Sequence, residues 1–596
     1  MQSTKGFRPL LLLVLTLLVT ACAGHLPEPY GTIVPDRGKR VEAANGVVSS
    51  AHPQASEAGL EMLRKGGNAV DAAIATAFAV SVVEPQMSGL GGGGSMVIWL
   101  EDEGRTEYLD FYPAQLAESF RGLRRDDPGP KDLRRTGIPG QVAGLLAALE
   151  AYGTLTPAEV LAPAIQIAEE GFPVNQILAQ MIARDSAKLS RDPGARRLLL
   201  PGGRPLSAGE VLKQPELAAS LREIARSGRA GFYEGRIARA VVEKLNAGGH
   251  PARLADLAAY EPEWKRPLCA EYRDRLILSA PPPQTGVQVI ASLALLEPYD
   301  LRSYGLPTES SRTFDLLVSA MRLGMADSPR HIDDPSWEPV PVSGLISREY
   351  AESRAELVGT GGARGVVESG DPWPYDEVAP PARCLPLDPY RSEPGGVASL
   401  GALNSELVYE FAGGETTHLS VVDREGNAVA LTQTISSVFG SGVEVAGFFL
   451  NNSGIDFARD TVPFEPDPST AARWRTRRST ISPTIVLDDK GVEIVIGAPG
   501  SGRIPTEILQ NLVYLIDFGL DPLAALELPR IYPMPSSPTV QLEHGFDAEL
   551  LRKVRAMGYR PTAESFGYAR LYLIARRGGK WIGVADPRHD GAPRGH

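Results

Sequence analysis

Gly413-Gly414-Glu415-Thr416-Thr417-His418-Leu419-Ser420-Val421-Val422-Asp423 is the stretch of this 596-residue chain whose residue types could do covalent chemistry. Two glycines free the backbone to bend a hydroxyl side chain onto the carbonyl before it, and a threonine that opens a strand is held rigidly. A cut between Glu415 and Thr416 would expose a new α-amino group, with a pKa near ~7.7 to 8.0 and less when partly desolvated, able to take the proton of its own hydroxyl. One residue would then be both nucleophile and base. The same residues also read as an ordinary strand with two β-branched threonines after a glycine turn, so the pattern needs a second line of support. His418, two residues along, either tunes the nucleophile or is a structural hydrogen-bonder of the strand. His52, His331 and His544 show no ligand spacing, and no metal or other cofactor is implied.

The elements around this stretch must position it. Strands over 417–422 and 428–434 flank a turn at 423–427, and strands over 484–487 and 493–496 flank 488–491, so two hairpins are expected. Upstream, a helix from 56 stops at Gly66-Gly67, and Asn68 caps a second helix over 69–83, ended by Pro85. That second helix is almost wholly apolar and must be buried. Gly89-Leu90-Gly91-Gly92-Gly93-Gly94-Ser95 then leads into a strand over 96–100. Four glycines resemble a phosphate cradle, but no Lys-Ser/Thr follows and a strand stands where a P-loop needs a helix, so a tight backbone approach is the better reading. Residues 141–245 are mostly helical, with 141–151 and 157–170 clearest. A helix over 310–326 precedes a loop-rich stretch, 331–412, which is either functional or disordered. A helix over 505–518 and a strand pair at 571–575 and 581–584 complete a chain whose helices and strands are segregated. The fold class is α+β, helices layered around antiparallel sheets.

Composition narrows the partners. Lys and Arg number 60 against 72 Asp and Glu, a net charge of −12, which argues against nucleic-acid binding and for a small organic substrate. With 43% hydrophobic and 22% charged residues the chain is an ordinary globular one. Its 3 cysteines, Cys22, Cys269 and Cys384, are too few for a disulfide scaffold or a structural zinc site. At the amino end Lys5 and Arg8 precede an apolar run, 10–19, of signal-peptide length, closed by Val19-Thr20-Ala21-Cys22. That closure resembles a bacterial lipobox. It predicts a signal peptide over 1–21, lipidation at Cys22, a tether over 22–44, and a protein exported and lipid-anchored in the bacterial cell envelope on the periplasmic side. The alternative is a soluble secreted protein with a chance cysteine. Cys269 and Cys384 would then sit in an oxidising compartment, free or paired.

The second line of support is resemblance. Gly414-Glu415-Thr416-Thr417-His418 with Ser420-Val421-Val422-Asp423 after it, Leu90-Gly91-Gly92-Gly93-Gly94, Pro139-Gly140, the run 162–174, Pro281-Pro282-Pro283, Ser482-Pro483-Thr484 and Asp586-Pro587-Arg588 together resemble the γ-glutamyltransferase family, from about residue 47 to 588. The resemblance implies an N-terminal-nucleophile hydrolase fold, a four-layer αββα sandwich, from a precursor that cuts itself into a large subunit, 45–415, and a small catalytic subunit, 416–596. These two would form a heterodimer. It also implies Thr416 as nucleophile, Thr434 as its supporting hydroxyl and Gly500 and Ser501 as oxyanion donors, the family having a second glycine at 501. Asp456 matches the aspartate that grips the substrate α-amino group, and Ser479 and Thr480 match a serine pair on its α-carboxylate.

Recognition of the acyl group departs from that pattern. The family arginine that pairs the α-carboxylate is Tyr112 here, its asparagine is Ser436 and its glutamine is Ser453. A phenol offers one hydrogen bond in place of a bidentate ion pair, and a buried charge left unpaired costs ~3 to 5 kcal/mol. Arg478, within the basic run Arg473, Arg475, Arg477, Arg478, either replaces that cation or belongs to a solvated loop. Three functions follow: γ-glutamyl transfer or hydrolysis on glutathione-like peptides, an amidase or acylase with another acyl donor, or an inactive binding lipoprotein. Retention of Thr416, Thr434 and the Gly500 turn disfavours the last.

Overall fold

The computed structural model describes residues 38–120, 133–336, 338–392, 416–455, 474–476, 478–563 and 569–596. The expected signal peptide, Cys22 and most of the expected tether lie outside the described residues.

The hairpin after Thr416 sits at the centre of one sheet. Strand β8 (Thr417–Asp423) and strand β9 (Ala428–Thr434) pair antiparallel, Thr417 opposite Gln433, which sets Thr416 opposite Thr434 at the open end. Outward from β8 run β2 (Gly46–Ser50) and β14 (Ala592–Gly595); outward from β9 run β3 (Gly93–Leu100), β4 (Arg105–Phe111) and β5 (Glu263–Lys265). The second sheet has the order β1 (Arg40–Ala43), β13 (Lys580–Ala585), β12 (Tyr572–Arg577), β11 (Gly491–Gly497), β10 (Thr484–Asp488), β7 (Arg275–Ser279), β6 (Leu268–Tyr272). Both sheets are antiparallel throughout.

Alternation along the strands divides the cores. Val422, Ala428 and Ala430 pack between the sheets with Ile485, Val495 and Ile574. Leu419, Val421, Val429 and Leu431 point the other way, into a core shared with α1 (Pro53–Arg64), α2 (Ala69–Val83), α3 (Gln141–Tyr152) and α4 (Pro157–Glu170). The second sheet is covered by α5 (Gly286–Leu296), α6 (Ser311–His331) and α7 (Ile504–Ile516). Helix, sheet, sheet and helix make the four-layer αββα sandwich that the resemblance implies.

Helix α2 is buried along its whole length, as its composition demands. Asn68 and Asp71 close a capping box at its start, and the Ala69 N–H donates to Asp423 Oδ2 at 2.9 Å, tying the helix to the β8–β9 turn. The glycine run is a close approach of backbones: a Cβ on Gly92 would lie 2.2 Å from Thr434 O, and one on Gly94 2.2 Å from Thr432 O. Strand β3 therefore begins inside the run, three residues before the expected start at 96.

Other differences have plain causes. Pro53 occupies the first turn of α1, so the helix begins before residue 56. Helix α6 continues past 326 to His331, through Pro329 in its last turn. Strand β1 lies inside the segment 22–44 assigned to the tether: Arg40–Ala43 pairs with β13, Arg40 opposite Val584, so the fold starts before residue 45. Cys269 on β6 and Cys384 form a disulfide across 115 residues, which fastens the irregular segment to the second sheet. Among the described residues no helix is long and apolar enough to cross a membrane.

Candidate active site

Thr416 stands at the head of β8 on the face that looks at the second sheet, since it shares that face with His418, Ser420 and Val422. Its hydroxyl donates to Thr434 Oγ1 at 3.3 Å, and Thr434 Oγ1 also accepts from the Ser436 N–H at 2.8 Å. Thr416 is 6% exposed and Thr434 2%.

The opposite wall comes from β11. Ser420 Oγ reaches Val495 O at 3.3 Å, and a Cβ on Gly497 would lie 2.3 Å from the His418 ring. The two strands thus run antiparallel across the gap, and continuing two residues brings Pro499 and Gly500 level with Thr416. Gly500 (φ 145°) and Ser501 (φ 53°) then turn the chain into α7. A side chain at Gly500 would strike Ala569, a Cβ falling 2.5 Å from its Cα, so glycine is required. Ser501 holds a left-handed conformation that the family's glycine would adopt freely. The N–H groups of both residues lie near the positive end of the α7 dipole, where a developing oxyanion is stabilised.

His418 hydrogen-bonds within its own sheet and reaches the second sheet only through Ser420. Ser420 Oγ donates to Tyr572 O at 2.9 Å, so it accepts from His418 Nε2–H at 3.0 Å, and His418 Nδ1 accepts from Thr432 Oγ1 at 2.8 Å. Burial lowers the ring to about 3, and it stays neutral.

The residues matched to acyl-group recognition fall into two sets. Tyr112 follows Phe111, which pairs with Gly94, which pairs with Gln433. It therefore lies two strands, about 10 Å, from the end of β9. Its ring packs in the core beneath the second sheet's helices, its N–H donates to Asp110 Oδ1 at 3.0 Å, and its carbonyl accepts from Tyr260 at 3.0 Å. Asp110 also accepts from Gln284 Nε2 at 3.2 Å and from Lys265 Nζ at 3.0 Å. Gln284 bridges to Ser479, whose N–H donates to Pro283 O at 3.1 Å, so the triple proline and the serine pair meet here. Thr480, half-buried, gives its carbonyl to Ser482 Oγ at 3.1 Å. Arg478 Nη1 donates to Ser328 O at 3.3 Å.

The second set is Ser436 and Ser453, on the β9 side. Ser436 has φ 78° and a buried hydroxyl just past Thr434. Ser453 is fully buried; its Oγ donates to Asn451 Oδ1 at 2.8 Å and lies 2.6 Å from the Gln115 amide. Asn451 in turn donates to Gly91 O and Gly137 O at 2.7 and 2.8 Å, so this cluster locks the loops around the glycine run. Glu415, Asp456, Arg473 and Arg477 lie outside the described residues. Sequence reasoning passed over Asp110, Gln284, Gln433, Asn451 and Glu84; only Glu84 left a signal, a carboxyl closing an otherwise apolar helix.

Asp586-Pro587-Arg588 serves the fold. Arg588 pairs Glu543 at 2.5 Å and Asp586 at 3.2 Å, all buried, and Arg530 pairs Asp586 at 3.0 Å.

A threonine pair between the antiparallel sheets of a four-layer sandwich, faced by a glycine turn, defines the class of N-terminal-nucleophile hydrolases. The family model described as gamma-glutamyltranspeptidase matches residues 55–596. The chain is 32% identical over 577 residues to a glutathione hydrolase proenzyme of Bacillus subtilis (strain 168), covering 94% of this chain and 93% of the relative. It is 32% identical over 573 residues to an acylase ACY 1 proenzyme of Pseudomonas sp. (strain SE83), covering 93% and 94%. The crystal structure of a cephalosporin acylase from Bacillus halodurans has a TM-score of 0.81 at 27% identity, over 96% of this chain and 99% of that one. The chain belongs to the γ-glutamyltranspeptidase family and is an enzyme of that family.

Proposed function

We propose that this enzyme cleaves or transfers γ-glutamyl amides through an acyl-enzyme on Thr416, after cutting itself before that residue. In the precursor, Thr416 Oγ attacks the carbonyl of Glu415, the C–N bond breaks, and the resulting ester is hydrolysed by water. Large and small subunits and a free α-amino group result. That amine then takes the proton of Thr416 Oγ as the oxygen attacks a donor amide, and passes it to the departing amine. The Gly500 and Ser501 N–H groups meet the oxyanion, an interaction worth ~2.7 to 4 kcal/mol per donor in comparable sites. Water or an acceptor amine releases the acyl group. The observation that carries this reading is the Thr416–Thr434 hydroxyl pair, 3.3 Å apart and level with the Gly500 turn.

A second reading, an amidase or acylase with a donor other than γ-glutamyl, is favoured by a specific observation. Tyr112, at the carboxylate-pairing position, has its ring in the core, and the Ser453 hydroxyl is taken up by Asn451. The similarity to acylases is as extensive as that to glutathione hydrolases. A donor panel separates the two: γ-glutamyl anilides turned over at the highest kcat/KM support the first, and amides without an α-carboxylate turned over faster support the second.

We place the enzyme in the bacterial envelope, with 1–21 as signal peptide and Cys22 as lipid anchor, on the strength of Val19-Thr20-Ala21-Cys22.

A further inference from the structure

The turn between α2 and β3 holds both strands that carry the threonine pair. Met87 O accepts from the N–H of Ile435, the residue after Thr434, at 3.2 Å, and Gln86 O accepts from the Phe439 N–H at 3.0 Å. Ser88 Oγ accepts from Gln433 Nε2 at 3.0 Å. Those contacts secure the end of β9. The head of β8 is secured from the same turn by a side chain: Thr417 Oγ1 donates to Glu84 Oε2 at 2.7 Å. Glu84 itself is fixed, because its backbone carbonyl accepts from the N–H groups of Met87 and Ser88 at 2.9 and 3.2 Å.

Thr417 points to the helical face of β8, opposite to Thr416, so Glu84 lies behind the nucleophile and out of reach of a substrate. Around it are His589, with Nε2 3.8 Å from Glu84 Oε1, and the charges of Arg570 and Asp590. The Arg570 N–H donates to Pro499 O at 3.2 Å, so the residue before Gly500 joins the same cluster. Burial pushes the Glu84 carboxyl up to about 7 against the pull of Arg570 and of the Thr417 hydrogen bond. A carboxyl in so dry a place is costly, and an apolar residue would close α2 without that cost.

We propose that Glu84 is a positioning residue for the Thr416 nucleophile, gripping Thr417 through its hydroxyl and so fixing the head of β8 against the turn that also holds β9. This rests on Thr416 being the nucleophile. Once the chain is cut, Thr416 is a free strand end whose amine and hydroxyl must both address one acyl carbon. Strand ends fray unless tied, and the tie at the adjacent residue is Thr417 to Glu84.

The test uses the full chain with Glu84→Ala, Glu84→Gln, Thr417→Val and the pair Glu84→Ala/Thr417→Val. Precursor cleavage is timed, and kcat and KM are measured on the donor that wild type uses best. Loss of alignment predicts a kcat lower by on the order of 10²-fold in Glu84→Ala and in Thr417→Val, with KM within about twofold. Glu84→Gln, which can still accept from Thr417, recovers most of that loss. The double variant is no slower than the slower single, because both changes remove one contact. A Thr417→Val enzyme with kcat within about threefold of wild type overturns the proposal, as do losses that multiply in the double variant. If Glu84→Ala is insoluble, Thr417→Val and Glu84→Gln decide it. Wild type that is never cut would instead overturn the nucleophile reading beneath it.

Discussion

Thr416 and Thr434 approach within 3.3 Å because register places them opposite one another, while the residues matched to acyl-group recognition lie further away. Tyr112 is 2% exposed with its ring in the core, so Tyr112→Arg buries an unpaired guanidinium there and is expected to destabilise the fold by ~3 kcal/mol or more, read in denaturant melts. If the donor carries an α-carboxylate that Arg478 pairs, Arg478→Ala abolishes γ-glutamyl turnover and spares an amide without an α-carboxylate. Low wild-type KM with no effect of Arg478→Ala contradicts that pairing. The strand start beside Thr416 was legible in sequence because a glycine turn, a hydroxyl and a strand pattern coincide there, and the family motifs singled out that stretch; its role as nucleophile is what we propose. The Asp110, Gln284 and Ser479 cluster was not legible, since its members come from three distant segments and meet only through strand pairing and the triple proline.

At the scale of elements, α2, α4 and the two hairpins stood out because long periodic segments carry their own caps and turns. Strands β1, β5 and β14 did not, being three to four residues long with no alternation to count. Their partners at the sheet edges define them. The α2 C-terminus also makes stability depend on pH. Glu84 has its carboxyl raised from 4.5 to about 7, so the folded state keeps a proton there that the unfolded chain releases. Its contribution is whole below 4.5 and is lost as pH rises through about 7. Glu84→Gln removes that loss, so the variant gains on wild type between those pH values by up to roughly 3 kcal/mol, a difference that cancels the pH response of other buried groups. Denaturant melts of both proteins across pH 4 to 8 check it. A constant difference would show that Glu84 is not held protonated.

For the whole molecule, the two sheets interleave the regions on either side of Thr416. Strand β8 lies between β2 and β9, and β14 pairs with β2, so a cut before Thr416 leaves two chains that cannot part without unfolding both sheets. If Cys22 carries the lipid proposed for it, Cys22→Ala is expected to leave folding and turnover intact and to move the protein from the membrane to the soluble fraction. Membrane retention of that variant contradicts the anchor. The central claim concerns Thr416, and intact mass with amino-terminal sequencing of the purified protein tests it most directly. Wild type is predicted to resolve into two chains, the smaller beginning Thr416-Thr417-His418, while Thr416→Ala stays a single chain without amidase activity. A wild-type chain that remains whole, or a Thr416→Ala chain that is cut at the same bond, would contradict the account.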